Sequence, residues 1–366
     1  MRLLTVGSLP PEWGGPARGG VATFHAALLE GFRPAGEEIE VVGVFSPAPL
    51  GRGAPVPVFE RPTDVPIAAF YEGLLERLRP DVVLMNHVAH TVGVTHARLS
   101  APPPAVGIAH SWHNITYAPP EEVERRHEVT AEAIGGLAAL VTGSRHAMEE
   151  GRRLGLRYPS RAEAIHYPLQ PTYLEAGVEV DSAERRGVLF LGSLIPRKNP
   201  EALVKAAGRL PGVPVVLAGE GELEPILRES ISELGLADRV SLVGHFPPAE
   251  HLRRVRDLLL GAEVMCLPSR SESFGLAYIE ALACGTPIVG FGPTVGEIRD
   301  AMGIEVGEAL DDPSPGEIAA AIERVTASSW DRELLRRAAI DTFGLSRVSE
   351  RYIELLGRAS LESSMA

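Results

Sequence analysis

Two glutamates separated by seven residues are the features of this 366-residue sequence that point most directly to chemistry. Glu272 lies in a polar loop after the apolar run Val264–Leu267, and Glu280 lies in a helix predicted to begin near Ser273 and to end at Gly285. Eight helical residues advance about 12 Å and turn roughly 80° around the axis, so the two carboxylates can contact different parts of one elongated ligand. Free N–H groups at the helix start can hold a phosphate between them.

Each glutamate also has an ordinary structural explanation. Glu272 can cap the helix, and Glu280 can lie on a solvated helix face, as most charged side chains do. The surroundings of Glu280 disfavour the second explanation, because Leu276, Ala277 and Ile279 make the helix largely apolar and an idle buried carboxylate is costly. The pattern therefore favours a functional carboxylate at position 280.

A pair of cations follows another predicted strand. The strand Val188–Leu191 ends at Gly192, and Arg197 and Lys198 come shortly after it. A cation at this place can stabilise the negative charge that accumulates on a departing diphosphate. A lone lysine is most often an exposed surface residue. Since Lys198 and Lys205 are the two lysines of the sequence, the position of Lys198 after a strand end favours the functional interpretation.

The segment from Glu272 to Pro287, Glu-Ser-Phe-Gly-Leu-Ala-Tyr-Ile-Glu-Ala-Leu-Ala-Cys-Gly-Thr-Pro, resembles the two-glutamate signature of retaining glycosyltransferases of family 4. The resemblance covers almost the whole chain and implies the GT-B fold. It implies that Glu272 lies by the donor sugar and that Glu280 holds the ribose hydroxyls of the nucleotide. Backbone N–H groups just after the first glutamate are implied to bind the sugar and the diphosphate; they belong to Ser273, Phe274, Gly275 and Leu276.

The same resemblance assigns Lys198 to the donor diphosphate. The family often carries an arginine directly after the glycine, where this chain has Ser193, and we hypothesise that Arg197 takes its place. The implied donor contacts include further glycine and loop positions: Gly19, Gly20, Gly219, His245 and Phe246. The loop of His245 presents backbone groups to the base, so an exposed loop histidine is the ordinary explanation for that ring.

The first half of the chain offers histidines at predicted strand ends. His110 follows the run Ala105–Ala109, where an imidazole can form hydrogen bonds or handle a proton. The resemblance places His110 near the transferred sugar and makes it a candidate catalytic residue together with Glu272 and Lys198. His87, Trp112 and His113 are predicted to contact the acceptor, with Trp112 stacking on an acceptor ring. Histidines in a polar loop without a function are the alternative.

No cofactor motif accompanies these residues. The glycine-rich stretch Gly14–Val21 joins a strand to a helix and can cradle phosphate, but it lacks the Gly-x-Gly-x-x-Gly and Gly-Lys-Ser/Thr patterns of dinucleotide and P-loop sites. The sequence also lacks His-Glu-x-x-His, Cys-x-x-Cys and Asp-x-Asp. We therefore expect a nucleotide sugar as co-substrate and neither a metal nor another cofactor.

Short apolar runs, each followed by a turn and a helix-like stretch, must position these side chains. Nearly continuous Val, Ile, Leu and Ala runs are typical of strands buried on both faces of a parallel sheet. The predicted strands are Leu3–Val6, Ile39–Phe45, Val82–Met85, Ala105–Ala109, Ala139–Val141, Val188–Leu191, Val213–Ala218, Val240–Val243, Val264–Leu267 and Pro287–Gly290. Repeated βα units of this size predict a doubly wound α/β fold.

Proline-rich and polar residues divide the chain near residues 170–187. We predict an acceptor-binding Rossmann-like domain over residues 1–175 and a nucleotide-sugar-binding Rossmann-like domain over residues 176–343, facing a central cleft. By the resemblance, a helix over residues 344–366 crosses back to the N-terminal domain. Ligands bind beyond the carboxyl ends of parallel strands, so two facing halves suit a two-substrate site.

Composition excludes several other classes of protein. A net charge of −13 repels phosphate backbones and anionic lipid, so we expect no nucleic-acid partner and no integral membrane contact. No apolar stretch reaches the roughly 18 residues that a membrane span needs, and the apolar N-terminal run is too short for a signal peptide. Two cysteines, Cys266 and Cys284, cannot form a disulfide framework, which fits a reducing cytoplasm. The sequence leaves the oligomeric state open.

The resemblance, taken together with these observations, implies a retaining hexosyltransferase that moves a sugar from a nucleotide-diphosphate sugar to a hydroxyl of a soluble acceptor. UDP-sugar is favoured as donor over GDP-mannose, and a cationic acceptor such as an aminocyclitol of secondary metabolism suits the acidic chain. A nucleotide-sugar epimerase or hydrolase of the same fold is one alternative. A sugar-nucleotide-binding protein without activity is the other.

Overall fold

A computed structural model describes residues 1–10, 20–36, 38–46, 56–88, 91–175, 184–247 and 250–363. The chain divides into two compact units. The first unit comprises Met1–Pro168 and Leu345–Ala366, and the second comprises Leu169–Gly344. The boundary after Pro168 lies seven residues before the predicted domain boundary after residue 175, and the short helix at 171–174 packs within the second unit.

The first unit is built on a seven-stranded parallel sheet. Its strands are β1 (Arg2–Val6), β2 (Glu40–Ser46), β3 (Val58–Glu60), β4 (Val82–Met85), β5 (Ala105–Ala109), β6 (Ala139–Thr142) and β7 (Arg161–Ala164). The spatial order is β3-β2-β1-β4-β5-β6-β7, so the winding direction reverses between β1 and β4. The central strands are fully buried, as their continuous apolar sequences require.

Helices cover this sheet. They are α1 (Gly20–Phe32), α2 (Ile67–Leu78), α3 (Thr91–Ala97), α4 (His113–Thr116), α5 (Val123–Gly135) and α6 (Arg145–Arg153), with short 3₁₀ turns at Arg33–Ala35 and Pro120–Glu122. Helix α15 (Leu345–Ser363), the last one among the described residues, belongs to the same unit and packs against α1. The two helices approach so closely that a Cβ atom on Gly31 would lie 1.9 Å from Ser349 Oγ, which explains the glycine.

The second unit repeats the arrangement with a six-stranded parallel sheet. Its strands are β8 (Val188–Leu191), β9 (Val215–Ala218), β10 (Val240–Gly244), β11 (Val264–Leu267), β12 (Ile288–Phe291) and β13 (Gly307–Leu310). The order is β10-β9-β8-β11-β12-β13, and the winding reverses between β8 and β11. Its helices are α7 (Pro171–Leu174), α8 (Pro200–Ala207), α9 (Glu224–Glu233), α10 (His251–Gly261), α11 (Leu276–Ala283), α12 (Gly292–Met302), α13 (Pro315–Ala327) and α14 (Arg332–Phe343), with a 3₁₀ turn at Pro196–Lys198.

Every predicted strand is present; four have the predicted bounds, and the ends of the other six differ by one or two residues. Three further strands, β3, β7 and β13, lie at sheet edges and were not predicted. Edge strands need not be buried on both faces, so their sequences lack the continuous apolar signal; β7, for example, reads Arg-Ala-Glu-Ala and is half-buried throughout.

Candidate functional site

The reversal of winding in the second sheet brings two sequence-distant loops together. The loop after β8 carries Arg197 and Lys198, and the loop after β11 carries Glu272; β8 and β11 are neighbours in the sheet. Open α/β sheets bind ligands at this kind of reversal, beyond the carboxyl ends of the strands. The parallel topology thus explains how residues 74 positions apart meet.

Glu272 lies at the centre of the polar contacts in these loops. Its Oε1 atom accepts hydrogen bonds from Lys198 Nζ and, at 2.7 Å, from Ser269 Oγ. Arg197 Nη1 lies 3.6 Å from the same oxygen and donates to the Ser271 carbonyl at 2.9 Å. The Glu272 side chain is 7% exposed and that of Lys198 14%. The structure therefore contains a buried cluster of two cations and one carboxylate.

The charges of this cluster set its protonation. Burial alone would raise the pKa of Glu272, but Lys198 and Arg197 outweigh burial and hold that pKa below its ordinary value. Burial lowers the pKa of Lys198, and Arg197 lowers it further against the opposing attraction of Glu272. The cluster has one more cation than it has carboxylates, which suits the binding of an additional anionic group.

The backbone holds both loops in register. Arg270 N–H donates to the Arg197 carbonyl at 2.8 Å, and Arg270 Nη2 lies 3.3 Å from Asn199 Oδ1. Asn199 adopts a left-handed conformation (φ 55°) and its side chain donates to the Pro313 carbonyl at 3.0 Å. Asparagine tolerates this conformation better than most residues, so it suits the junction between the 3₁₀ turn and α8.

Helix α11 begins later than predicted, at Leu276 and not near Ser273. Gly275, at φ 77°, forms the N-terminal boundary, and a Cβ atom there would lie 2.6 Å from the Tyr278 ring. The Tyr278 hydroxyl donates to the Leu267 carbonyl at 2.8 Å and accepts from the Phe291 N–H at 3.0 Å. These bonds fix the helix start relative to β11 and β12.

The residues just after Glu272 differ in what they expose. Ser273 is buried, and the Phe274 ring lies in the core, where it packs edge-on against Phe343 at 5.6 Å between ring centres. A ligand contact by Phe274 is thus restricted to its backbone, as the resemblance implies. Glu272 does not bond to the N–H groups of the helix start in this structure; its partners are Lys198 and Ser269.

Glu280 lies within α11 and is only 9% exposed. Burial raises the pKa of its carboxyl to about 7. Burial raises the pKa of Tyr173, and the charge of Glu280 raises it further. The Tyr173 hydroxyl is buried and finds no hydrogen-bond partner among the described residues. A buried carboxyl that titrates near neutral pH contradicts the solvated-face explanation and is a candidate for polar ligand recognition.

Three glycines draw the other loops of this sheet edge together. A Cβ atom on Gly219 would lie 1.9 Å from the Gly192 carbonyl oxygen, and Gly219 N–H donates to the Gly244 carbonyl at 2.9 Å. Ser193, directly after Gly192, is exposed. The close approach requires glycine at position 219 and leaves backbone groups at the carboxyl ends of β8, β9 and β10 side by side.

The side chains of the loop after β10 contact α10. The His245 ring stacks on His251 at 4.6 Å between centres, and the Arg254 guanidinium lies 5.4 Å from the centre of the Phe246 ring. Both His245 and Phe246 are partly exposed. In the first unit, Gly20 is the first residue of α1, whereas Gly19 lies outside the described residues.

His110 occupies the strand end predicted for it, but both of its ring nitrogens are bonded within the protein. Asn86 Nδ2 donates to the Val21 carbonyl at 3.1 Å, so its Oδ1 faces His110 Nε2 at 3.0 Å. This network assigns the proton to Nε2, and Nδ1 accepts from the Tyr167 hydroxyl at 2.7 Å. Burial, with a smaller effect of His87, lowers the pKa of His110 to about 3. His110 is therefore a neutral, oriented imidazole.

The three predicted acceptor contacts have different environments. The prediction that Trp112 stacks on an acceptor ring must be corrected, because the Trp112 ring is fully buried. Its Nε1 donates to the Ala147 carbonyl at 2.6 Å, and the ring stacks on Tyr158. His87 is half-buried, and burial lowers its pKa. His113 is half-buried at the start of α4 and packs edge-on against Tyr117. His87 and His113 remain predictions for acceptor binding.

Sequence reasoning missed the residues that orient the candidate side chains. Asn86 and Tyr167 fix His110, Ser269 bonds to Glu272, and Tyr173 lies near Glu280. Asn86 carried a signal, since it directly follows β4 at the reversal of the first sheet. Ser269 lies only three residues before Glu272 in the same loop, so its nearness along the sequence was a second signal. Tyr167 and Tyr173 meet their partners through the tertiary fold, which spacing along the sequence does not show.

The part of the chain that the structure describes contains no group of three or more histidine, cysteine, aspartate or glutamate side chains that could hold a metal ion. None of the helices among those residues is both long and apolar enough to cross a membrane. Cys266 and Cys284 are buried free thiols, and burial raises the pKa of both.

Comparison with known proteins relates the chain to glycosyltransferases. Residues 179–342 match the family model for glycosyl transferases group 1. A D-inositol 3-phosphate glycosyltransferase of Mycobacteroides abscessus is 36% identical over 168 residues, which is 40% of this chain and only 37% of that relative. A relative with the same name from Mycolicibacterium vanbaalenii is 28% identical, with 98% of this chain and 94% of the relative covered.

Among solved structures, HepE of Anabaena in complex with UDP and glucose superposes with a TM-score of 0.72. The two chains share 17% sequence identity, and the match covers 98% of this chain and 100% of HepE. The two parallel-sheet units and their structural neighbours thus confirm the GT-B fold, and the residues that match the model of glycosyl transferases group 1 all lie in the second unit.

Proposed function

We propose that the protein is a retaining glycosyltransferase that moves a sugar from a UDP-sugar to a hydroxyl of a small acceptor. The observation that carries the proposal is the buried cluster of Lys198, Arg197 and Glu272 at the reversal of the second sheet, with Glu280 on the helix that follows. A cationic pair beside one carboxylate, followed by a second buried carboxylate, matches the chemistry of a nucleotide-diphosphate sugar. The diphosphate needs cations, and the two sugar rings offer hydroxyls.

In this proposal the second unit binds the donor. Lys198 and Arg197 contact the diphosphate, and the backbone N–H groups of Gly275 and Leu276 supply neutral donors at the start of α11. Glu280 accepts hydrogen bonds from the ribose hydroxyls, and Glu272 faces the transferred sugar. The loops with Gly219, His245 and Phe246 lie at the same sheet edge and are assigned to the base and the neighbouring phosphate, together with Ser193.

Departure of the diphosphate is the step that these cations assist. Negative charge grows on the leaving oxygen as the glycosidic bond breaks. Lys198 therefore stabilises the transition state more than it stabilises the bound donor in the ground state. Arg197 keeps Glu272 ionised when Lys198 turns to the diphosphate, because its guanidinium lies within 3.6 Å of the same carboxylate oxygen. The buried Glu272 carboxylate thus keeps Arg197 as a cationic partner while Lys198 contacts the diphosphate.

Retention of the anomeric configuration is part of the proposal. The acceptor hydroxyl attacks from the face that the diphosphate leaves, and a donor phosphate oxygen takes its proton. Among the described residues, Glu272 is the carboxylate that lies in the cluster with Lys198 and Arg197. Its pairing with these cations lowers its basicity. That pairing disfavours Glu272 as a covalent nucleophile or as the general base.

We assign the acceptor to the first unit. His110 is oriented by Asn86 and Tyr167 at the reversal of the first sheet, and His87 lies next to it, with 6.3 Å between ring centres. Since His110 is neutral, it contributes a hydrogen-bonding and packing surface and not a charge. The matched relatives are named for D-inositol 3-phosphate. A cyclitol, phosphorylated or aminated, is accordingly the acceptor class we propose.

The test is a donor screen followed by a product assay. Binding of UDP, GDP, ADP and their sugars is measured by calorimetry, and the bound donor is incubated with inositol, inositol 3-phosphate and an aminocyclitol. The proposal expects a UDP-sugar to bind and mass spectrometry to show one added hexose. NMR spectroscopy of the product should give the same anomeric configuration as that of the donor. Release of free or epimerised sugar at equal rates with and without acceptor would identify a hydrolase or epimerase. Binding without any turnover would identify a sugar-nucleotide-binding protein.

A further inference from the structure

Three successive backbone carbonyls at the carboxyl end of α11 each accept a hydrogen bond from a different arginine. The pairs are Arg336 Nη1 to Ala283 at 2.6 Å, Arg185 Nη2 to Cys284 at 2.7 Å and Arg332 Nη1 to Gly285 at 2.9 Å. We call these three arginines the arginine collar. Arg185 precedes β8, and the other two lie on α14, so the collar connects α11 to two other parts of the second unit.

The arginine collar provides more hydrogen bonds than the termination of α11 requires. The last carbonyls of a helix lack partners within it and carry partial negative charge, which one cation commonly compensates. Here the backbone already closes the helix, since the N–H groups of Cys284, Gly285 and Thr286 bond back to the carbonyls of Glu280–Leu282. The arginines bind the next three carbonyls along the chain. Their effect is to fix the whole helix end to its neighbours.

Arg336 joins α11 to a third element. It is buried, and besides Ala283 it donates from Nη1 to the Tyr173 carbonyl at 3.1 Å and from Nη2 to the Glu175 carbonyl at 2.9 Å. The planar guanidinium can bridge carbonyls on two chain segments at once, which the single nitrogen of a lysine cannot do in the same geometry. Arg336 therefore sets the distance between α7 and α11.

The group positioned by this arrangement is Glu280. Glu280 precedes Ala283 by three residues, almost one helical turn, and is buried beside α7. Tyr173, the buried residue of α7, has a hydroxyl without a hydrogen-bond partner among the residues that the structure describes. A carboxylate that must accept from two ribose hydroxyls has to be held to within about 0.5 Å. The arginine collar supplies that constraint from the carboxyl end of the helix, one turn beyond Glu280.

We propose that the arginine collar is the positioning device for Glu280, so that Arg336 governs recognition of the ribose hydroxyls without touching the nucleotide. The inference rests on the proposed function, in which Glu280 accepts from the ribose. It predicts that a change at Arg336 weakens the contribution of the ribose hydroxyls alone. The contacts of the diphosphate with Lys198 arise from other loops and remain.

The experiment compares UDP with 2′,3′-dideoxy-UDP, which lacks both hydroxyls. Dissociation constants are measured by calorimetry for the wild type, Arg336→Lys and Arg337→Lys, the last an exposed arginine on the same helix α14 as a matched control. Arg336→Lys is expected to raise the Kd of UDP about tenfold and to leave the Kd of dideoxy-UDP unchanged. Arg337→Lys is expected to change neither, and adding Arg336→Lys to Glu280→Gln is expected to cause no further loss.

The outcomes separate the two proposals. A wild type that binds UDP and dideoxy-UDP equally, or neither of them, contradicts the ribose role of Glu280 and hence the proposed function. A wild type that discriminates, with an Arg336→Lys variant that loses affinity for both ligands equally or for neither, overturns the positioning role alone. If thermal melting shows that Arg336→Lys does not fold, the half-buried Arg332→Lys decides by the same comparison.

Discussion

Replacement of Glu280 by glutamine tests the burial of the carboxyl through its effect on stability. An ordinary glutamate has a pKa of 4.5, and burial raises that of Glu280 to about 7. Below pH 4.5 the carboxyl is protonated in both the folded and the unfolded chain. Between pH 4.5 and 7 the unfolded chain loses this proton while the folded chain keeps it, so the free energy of unfolding falls as pH rises.

The magnitude follows from the two pKa values. A shift of one pKa unit corresponds to 1.36 kcal/mol, so the folded protein pays about 3 kcal/mol above pH 7 to ionise Glu280. Glutamine keeps the shape of the side chain and cannot ionise. The difference in unfolding free energy between Glu280→Gln and the wild type should therefore grow by about 3 kcal/mol in favour of the variant between pH 4.5 and 8.

Urea denaturation of both proteins at half-unit pH intervals measures this difference, and the contributions of all other groups cancel in it. Glu229→Gln, which removes an exposed carboxylate from α9, controls for the change in net charge. A difference that stays constant across the pH range would refute the reasoning that burial governs this carboxyl. The same variant is expected to bind UDP more weakly, because an amide accepts from ribose hydroxyls less strongly than a carboxylate.

Three further predictions concern other parts of the two units. Lys198→Met should lower kcat/KM by about 10²–10³-fold, as loss of one transition-state donor does. Lys205→Met, at the exposed second lysine, should leave initial rates unchanged; equal losses would remove the role of Lys198. Tyr167→Phe leaves Nδ1 of the buried His110 without its donor and should cost about 1–3 kcal/mol of unfolding free energy. An unchanged urea midpoint would contradict that network. Gly275→Ala places a side chain at φ 77° against the Tyr278 ring and should destabilise the second unit by more than about 1 kcal/mol. A melting temperature equal to that of the wild type would show that α11 can begin without glycine.

The apolar sequence pattern predicted the strands that are buried on both faces of a sheet and missed the edge strands that are less buried. Strands such as Val82–Met85 are enclosed on both faces, so the apolar run by itself marks them. Edge strands such as Arg161–Ala164 follow from pairing with a neighbour, which the local sequence does not encode. Trp112 shows the same limit for side chains. Its place at a strand end suggested a ligand contact, but the acceptor of its N–H is a carbonyl on α6 that lies 35 residues away.

The candidate site shows how much the spacing of residues along the sequence can predict. The separation of Glu272 and Glu280 predicted two distinct roles, and the structure gives them opposite electrostatic environments. The pairing of Glu272 with Lys198 needed the sheet order, because β8 and β11 become neighbours only when the winding reverses. The roles of these residues in catalysis stay predictions for the experiments above.

The packing of α15 against α1 affects how the chain folds as it is synthesised. The first unit includes Leu345–Ala366, which leave the ribosome only after all of Leu169–Gly344 has been made. At about 5–20 residues per second that interval is on the order of ten seconds or more. During this time Phe24 of α1 has no Tyr352 to pack against, although their rings lie 6.1 Å apart in the folded protein. The packing of α1 against α15 in the first unit can therefore form only after the whole second unit has been synthesised.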